Sequence, residues 1–474
     1  MLNRDFTNQA PTMLNKVLIG IQNKSPRRSV YSLVLWTGLT FIFVSASTYF
    51  ISQSRPAVDY FTHHESTYDS SANTNGPNPL LTTEGIDQFI HDHAYPRLGE
   101  SANFTGLRQV CDSTKWQKNV YFTCTHNLGG LINVRNMVLN CVRYAIAAGA
   151  SGLILPLIEA RDPTVLSRLK TGEYQSMQFL FDEDWFKKVM KTNCRQMELL
   201  DTIEDVPHYR YATMPDLMNV QSFMGQPPGS RQGRMRNRKP EDFRPRFDAL
   251  IKSQSKRPGE RNPVIVRLDD RTLFSWPPSF DSPAFANYFG FILEFRLDLT
   301  ALANIIVSRV RPTSSSGASK DPYVGVHLRS EADAGKYWAS WDQLANATLS
   351  AAVESDIKHI YVASGDTDGV AKLAKKAAES GIKVLDKWGV LLKNEKEYLK
   401  PFRFDQLAIV DYLTLLESDR FVGSGQSSFS SHILMRREFI ANNTLSTDTK
   451  NDNGKPRDQF AGPGRLAYWD QDWP

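Results

Sequence analysis

The tripeptide His327-Leu328-Arg329 carries side chains suited to binding and transferring a phosphorylated substrate. It ends a run that reads as a strand, so that His327 and Arg329 share one face. An arginine can bind a diphosphate through two parallel hydrogen bonds and stabilise its charge as a leaving group. Taken alone, the pattern also fits a surface arginine beside a histidine of the core.

A second segment is rich in serine and glycine and follows residues 420–424, which read as a short buried strand. After Ser424, the residues Ser427 and Ser428 open a helical run that continues to Arg437. The free N–H groups of a first helical turn and the helix dipole favour an anion, and serine hydroxyls add donors. The sequence therefore predicts a phosphate site here, although an ordinary serine N-cap would give the same pattern.

A third polar segment lies near residue 130. Residues 119–123 read as a strand, and the turn Gly129-Gly130 leads into an amphipathic run with Asn133 and Arg135 near its start. This is the first unit of a parallel strand–helix–strand arrangement, or a plain connection with a surface arginine. The turn lacks the Gly-x-Gly-x-x-Gly spacing of dinucleotide-binding proteins, which disfavours a dehydrogenase.

The elements that must position these residues are clearest after a break at 314–317. Strands are predicted at 323–329, 358–364, 383–386 and 420–424, and helices at 340–354, 367–380, 405–416 and 427–437. Strict alternation predicts an α/β fold with a doubly wound parallel sheet. Because ligands of such sheets bind at the carboxyl ends of strands, we expect Arg329, Asp366 and Ser424 at one nucleotide-binding crevice. The predicted domains are 85–312 and 313–474.

Composition sets broad limits on the partners. With 474 residues, 41% of them hydrophobic and 23% charged, the chain is large enough for two or three domains with real cores. A net charge of +5 is small for this length, so it gives no reason to expect nucleic acid, and it agrees with an anionic substrate.

The N-terminal region predicts a membrane anchor. Residues 29–54 contain no charged side chain and exceed the ~20 residues that cross a bilayer core. The flanking positive charges place residues 1–28 in the cytosol and the bulk of the chain in the lumen, as a single-pass type II protein with a stem at 55–84. A signal peptide cleaved near residues 45–46 is the alternative.

Four cysteines lie beyond this segment: Cys111, Cys124, Cys141 and Cys194. An even number in an oxidising lumen predicts up to two disulfides rather than a metal site. The pairing is open, with Cys111–Cys124 the more local choice. Glycosylation sequons at Asn103, Asn346 and Asn442 agree with that compartment.

Two further segments invite a functional interpretation. The pair Asp182 and Asp184 is spaced like a metal site, but its aromatic neighbours favour a helix that begins with acidic residues. Residues 226–261 are rich in Pro, Gly and Arg, and in a lumenal protein they are better read as a basic surface insertion than as a nucleic-acid site.

Four motifs, in order along the chain, resemble the GDP-fucose O-fucosyltransferase family, and in particular its plant-like branch. They are Gly-Gly-Leu-x-x-x-Arg at 129–135, His-Leu-Arg-x-Glu-x-Asp at 327–333, Ile-Tyr-x-x-x-Gly at 360–365 and Asp-Tyr-x-x-x-x-Glu-Ser-Asp-x-Phe-Val at 411–422. The resemblance covers roughly 115–437. It implies two Rossmann-like domains (the GT-B arrangement) with the sugar nucleotide between them.

The resemblance also implies an activity and a location. The activity is inverting, metal-independent transfer of fucose from GDP-fucose to a hydroxyl of a protein Ser/Thr or a glycan, with no cofactor. The location is the Golgi or ER membrane, with the catalytic part in the lumen. The alternatives are a transferase of the same fold that uses another nucleotide sugar, and a non-catalytic membrane-anchored scaffold.

By motif position, the resemblance assigns catalytic roles to Arg329, His327 and Asn133. It assigns donor binding to Gly129, Gly130, Arg135, Asp366, Ser424, Ser427 and Ser428. Arg329 and the two helix serines would contact the diphosphate, and Asp366 the guanine or ribose.

The catalytic base is left open. Relatives that modify folded repeats carry a glutamate beside the first-domain loop, where this chain has Gly129-Gly130. His126 or Glu331 could serve instead, or the departing diphosphate could collect the proton.

Overall fold

A computed structural model describes residues 78–215, 218–224, 239–254, 262–268, 272–311, 321–331, 338–442, 458–461 and 472–474. All of them fall within one compact unit, Ser70–Pro474. The predicted cytosolic tail, the anchor at 29–54 and the stem up to residue 77 lie outside the described residues. Within the described ranges, no helix is both long and apolar enough to cross a bilayer.

Two parallel sheets form the framework. The strands are β1 Val120–Cys124, β2 Gly152–Ile154, β3 Ile158–Glu159, β4 Tyr174–Gln175, β5 Glu198–Leu200, β6 Val264–Leu268, β7 Tyr323–His327, β8 His359–Ala363, β9 Lys383–Leu385, β10 Arg420–Ser424 and β11 Asp458–Ala461. The first sheet has the order β5-β2-β1-β6 and the second β11-β10-β7-β8-β9. The short antiparallel pair β3–β4 stands apart from both sheets.

Helices cover the sheets, and the central strands are accordingly buried on both faces. The helices are α1 Thr83–His93, α2 Thr105–Ser113, α3 Leu131–Ala148, α4 Glu183–Asn193, α5 Val220–Phe223, α6 Phe243–Gln254, α7 Pro283–Phe289, α8 Leu297–Val310, α9 Trp341–Glu354, α10 Thr367–Ala378, α11 Lys387–Val390, α12 Lys393–Leu399, α13 Phe404–Leu416 and α14 Ser428–Asn442. We call residues 85–312 the N-terminal half and residues 313–474 the C-terminal half, after the predicted domains.

The alternation predicted for the C-terminal half is confirmed. Each predicted strand and helix is present with ends within about two residues, except that α14 extends to Asn442. The prediction that Asp182 begins a helix is also confirmed, because its side chain caps α4 by accepting a hydrogen bond from the N–H of Trp185 at 3.0 Å. The edge strand β11 was not predicted.

The disulfides differ from the favoured local pairing. Cys111 is bonded to Cys194 and Cys124 to Cys141, with Cα–Cα distances of 5.3 and 6.2 Å. The prediction of Cys111–Cys124 is therefore wrong. The physical reason is packing, since α2 contacts α4 and β1 contacts α3, and each contact brings two cysteines from different elements together.

The basic segment 226–261 is only partly described. Its residues 239–254 include α6, in which Phe243 and Phe247 are fully buried and stack on each other with ring centroids 5.7 Å apart. This part belongs to the core of the N-terminal half, so its prediction as a surface insertion is wrong. Residues 225–238 and 255–261 lie outside the description.

Candidate active site

Arg329 lies just beyond the carboxyl end of β7 and is held by a carboxylate. Its Nη1 is 2.5 Å from Oε2 of Glu331, and its guanidinium stands over the Trp338 ring at 5.4 Å. Oε1 of Glu331 accepts a hydrogen bond from the N–H of Gly365, at the end of the neighbouring strand β8. Two adjacent strand ends thus fix one guanidinium.

Glu331 is poorly placed to act as a base in this arrangement. Both of its oxygens are already engaged, one by Arg329 and the other by the N–H of Gly365. The other candidate base, His126, has Nδ1 at 4.0 Å from Oε2 of the buried Glu159 and keeps a partly exposed ring. Of the two residues, His126 is the more available for a proton transfer.

His327 connects β7 to the first turn of α14. Its Nδ1 lies 2.8 Å from Oγ of Ser430, and its ring centroid is 4.6 Å from that of Phe429. Burial lowers the pKa of His327 to about 4, with Glu331 acting in the opposite direction. The imidazole is therefore neutral at pH 7 and joins the two elements as a hydrogen-bonding group without charge.

The start of α14 has the geometry of an anion site. The N–H of Ser427 bonds to the carbonyl of Ser424 at 3.0 Å, and the Ser427 hydroxyl accepts from the N–H of Ser430 at 3.4 Å. Ser428 is the half-exposed first residue of the helix. The hydroxyl of Ser424 is buried, with no hydrogen-bond partner among the described residues. A helix of this length presents its first-turn amides and its dipole at this point.

Asp366 caps α10. Its Oδ1 accepts from the N–H of Gly369 at 2.9 Å, and its Oδ2 accepts from the hydroxyl of Ser330 at 2.7 Å. Both oxygens therefore position the chain beside Arg329 in this structure. The contact of Asp366 with guanine or ribose stays a prediction.

The glycine turn Gly129-Gly130 precedes α3 in the N-terminal half. Gly129 has a φ of +117°, which side-chain-bearing residues rarely adopt, and Gly130 is the N-cap of the helix. Asn133 follows in the first turn of α3, and its Oδ1 is buried without a hydrogen-bond partner among the described residues. Such an unsatisfied amide oxygen is costly unless a ligand or water bonds to it, which supports the predicted role of Asn133.

Arg135 does not face the crevice. Its side chain is fully buried, and it donates to the carbonyls of Gly290, Trp473 and Pro474 at 3.0, 2.8 and 2.7 Å. Burial lowers the pKa of Arg135 to about 10, so the group stays charged at neutral pH. The donor contact predicted for Arg135 is corrected to a structural role, because a guanidinium enclosed by the chain's own carbonyls cannot reach a ligand in this arrangement.

Arg161 and Asp405, beside the predicted crevice, were not identified from the sequence. Arg161, just after β3, donates from Nε to Oδ2 of Asp405 at 3.2 Å and stands over the Phe404 ring at 5.2 Å. A Cβ built on Gly130 would lie 3.7 Å from Nη2 of Arg161, and one built on Gly365 would lie 3.4 Å from Phe404. These pairwise contacts connect residues of both halves and would line the predicted crevice: Gly130, Arg161, Phe404, Gly365, Glu331 and Arg329.

Within the described part of the chain, no group of three or more His, Cys, Asp or Glu residues is gathered closely enough to hold a metal ion. Asp182, which with Asp184 has the spacing of a metal site, is ion-paired with Arg97 at 2.7 Å.

Two parallel sheets covered by helices define an α/β protein, and an arginine and a helix N-terminus lie at strand ends of its second sheet. The chain matches the model of the family "GDP-fucose protein O-fucosyltransferase" over residues 121–440. This match spans more than half of the sequence, and the chain belongs to that family of glycosyltransferases.

Solved structures of low identity resemble the chain. POFUT1 in complex with GDP-fucose is 16% identical, covers 74% of this chain and 99% of its own, and has a TM-score of 0.44. POFUT1 in complex with GDP is 15% identical over 73% and 99%, with a TM-score of 0.42. An Arabidopsis thaliana FUT1 variant in complex with GDP is 13% identical over 76% and 77%, with a TM-score of 0.32. No curated protein matches the sequence. The family assignment rests on the family match alone.

Proposed function

We propose that this protein transfers fucose from GDP-fucose to an acceptor hydroxyl, with inversion and without a metal ion. Membership of the family supports the donor and the reaction class. The observation that carries the proposal is the pairing of Arg329 with Glu331 at the end of β7, the strand whose His327 bonds to Ser430 in the first turn of α14. A cation and a helix N-terminus at neighbouring strand ends suit a diphosphate that gains negative charge as it leaves.

The proposed reaction is a single displacement. The acceptor oxygen forms a bond to the anomeric carbon while the bond from that carbon to the diphosphate oxygen breaks, and GDP leaves with the bonding electrons. Arg329 and the amides at the start of α14 stabilise the charge that develops on GDP. The acceptor proton passes to His126 or to the departing diphosphate.

The lumenal location and the type II anchor at 29–54 remain part of the proposal. The two disulfides support an oxidising compartment, because such bonds persist in secretory environments and are rare in the cytosol. Protease protection of the full-length chain in sealed microsomes tests this, since a lumenal catalytic part is digested only after detergent is added.

Ligand-induced thermal shifts of the full-length protein in detergent test the donor. We expect stabilisation by GDP and GDP-fucose, not by UDP-sugars, unchanged by a chelator and lost in Arg329→Ala. Release of fucose from GDP-fucose then tests turnover without knowledge of the acceptor. A shift with another nucleotide would replace the donor in this proposal. Binding of GDP-fucose without turnover, with any acceptor tried, would favour a non-catalytic scaffold.

A further inference from the structure

Arg161 has one guanidinium nitrogen that its protein partners leave free. Nε bonds to Oδ2 of Asp405 and Nη1 to the carbonyl of Leu166, both at 3.2 Å. Nη2 has no hydrogen-bond acceptor in the described ranges, and it is not among the unpartnered atoms sealed from solvent. Only 12% of the Arg161 side chain is exposed, so the cation is largely enclosed. Its Nε and Nη1 are held by the protein, and Nη2 is the donor that remains.

The space beside that nitrogen is kept open by Gly130. Among the described residues, apart from its neighbours in the chain and the backbone of its own helix, a Cβ at this position would have Nη2 of Arg161 as its only neighbour within 4 Å. The backbone of Gly130, with φ −73° and ψ 163°, is one that any residue can adopt. The absence of a side chain there therefore leaves room, at the helix N-terminus of α3, for an atom to approach the free nitrogen.

The position of Arg161 across the crevice favours an anionic ligand. Arg161 belongs to the N-terminal half, but Asp405 and Phe404 of the C-terminal half hold its guanidinium. Arg329 supplies a second cation at the other end of the same lining. Two fixed guanidinium groups suit the separate charges of a diphosphate, since charge-assisted bonds to phosphate are among the stronger hydrogen bonds.

The carboxylate of Asp405 accepts a hydrogen bond from Arg161 through only one of its two oxygens. Oδ1 of Asp405 is buried without a hydrogen-bond partner among the described residues. Burial raises the pKa of Asp405 to about 6, although Arg161 acts in the opposite direction. At pH 7 Asp405 is therefore largely ionised and pairs with Arg161 through Nε, which leaves Nη2 of Arg161 without a carboxylate partner among the described residues.

We propose that Arg161 is a further donor-binding residue, whose Nη2 donates to a phosphate oxygen of the sugar-nucleotide diphosphate from the N-terminal half. The inference rests on the proposed function, and it adds a second cation, contributed by the opposite half, to Arg329. Because Asp405 and Phe404 fix this cation, the diphosphate is bound by both halves at once.

The test is the affinity of the full-length protein in detergent for GDP and for GMP, measured by calorimetry. The ratio of the two dissociation constants reports contacts made to the second phosphate. We expect Arg161→Gln to reduce the preference for GDP about 10- to 100-fold, as the loss of a charged hydrogen bond would. Arg161→Lys should retain part of that preference, because it keeps the charge without the planar geometry.

Arg403→Gln is the matched control. Arg403 also joins the two halves, through Glu173 at 2.9 and 2.6 Å, but both of its terminal nitrogens are occupied by that carboxylate. We expect Arg403→Gln to keep the wild-type preference for GDP. Equal losses in Arg161→Gln and Arg403→Gln would assign Arg161 to bridging the halves, and would overturn the proposal.

If folded Arg161→Gln keeps the wild-type ratio of the dissociation constants for GDP and GMP, the proposal is overturned and the proposed function stays intact. A wild-type protein that binds no GDP would overturn the proposed function itself. If Arg161→Gln fails to fold, Gly130→Ala serves as the second variant. The backbone of Gly130 accepts alanine, and the added methyl group would occupy the space through which a ligand approaches Nη2 of Arg161. Weaker preference for GDP in that variant supports the contact, and an unchanged preference contradicts it.

Discussion

Nη1 of Arg135 lies 2.7 Å from Nε2 of His432, so a residue of α3 and a residue of α14 are bonded directly in the core. Asn133 is two residues before Arg135, and Ser428 is four residues before His432. The pKa of His432 is well below its usual value because the ring is buried and two arginines face it, which keeps the ring neutral. The buried contact therefore sets the separation between the glycine turn and the anion site.

Arg135→Gln should lower the free energy of unfolding by about 3–5 kcal/mol, because it leaves Asp472 buried without its cation. Urea unfolding measures this change. In the fraction that remains folded, the affinity for GDP should stay within a few-fold of wild type. A variant of normal stability that fails to bind GDP would restore the donor contact first predicted for Arg135.

Arg329→Lys should reduce the rate of fucose release from GDP-fucose by about 100-fold, since lysine keeps the charge but loses the planar fork. Glu331→Gln is the companion variant, because it removes the carboxylate that orients Arg329 and leaves the arginine in place. We expect a smaller loss in Glu331→Gln than in Arg329→Lys. Near-normal turnover in Arg329→Lys would rule out its proposed role.

Ser428→Asp should change stability and binding in opposite directions. A carboxylate in the first turn of α14 interacts favourably with the helix dipole, by about 0.3–1 kcal/mol. The same charge repels a diphosphate, so GDP should bind at least about tenfold more weakly. Thermal unfolding with and without GDP measures both effects. If the start of α14 is only a capped helix end, GDP binding will be unaffected.

Asp405→Asn should alter the pH dependence of stability. The folded-state pKa of Asp405, about 6, lies above the ordinary value of 3.8, so its stabilising contribution is largest below pH 4 and is lost as pH rises through 6. Asparagine does not titrate. The stability of the variant relative to wild type should therefore increase by about 2 kcal/mol between pH 4 and pH 7. Urea unfolding at several pH values measures this, and a constant difference would contradict it.

Removal of each disulfide should cost a different amount of stability. The bonds Cys111–Cys194 and Cys124–Cys141 close segments of 83 and 17 residues. Loop-closure entropy gives about 4.6 and 3.1 kcal/mol, respectively. We expect the double serine variant of the longer loop to be the less stable in urea. Peptide mapping of the unreduced protein provides the check on pairing, and a Cys111–Cys124 peptide would refute it.

Much of the C-terminal half could be predicted because its central strands β7, β8 and β10 are almost wholly buried and alternate with helices, of which α10 is clearly amphipathic. The edge strand β11 could not, since its four residues include Asp458 and carry no apolar pattern. Its place depends on tertiary contacts. Oδ1 of Asp458 accepts from the N–H of Phe421, and Oδ2 accepts from Nε of Arg437.

The placement of a residue at a strand end could be predicted where it follows directly from its own strand, as for Arg329 and Ser427. The pair Arg161–Asp405 was not, because its members are 244 residues apart and lie in no recognisable motif. Arg135 was misassigned because its neighbour Asn133 faces the glycine turn. Helix α3 is buried on almost every side, so residues close in sequence on it have very different surroundings.

Asp472, Trp473 and Pro474 supply acceptors to an arginine placed more than 300 positions earlier in the chain. A nascent polypeptide emerges from the ribosome with its N-terminal half first. Until residues 472–474 have been translated, the charge of Arg135 lacks these acceptors. Chaperones would thus meet an N-terminal half that still carries an incompletely paired cation in its interior.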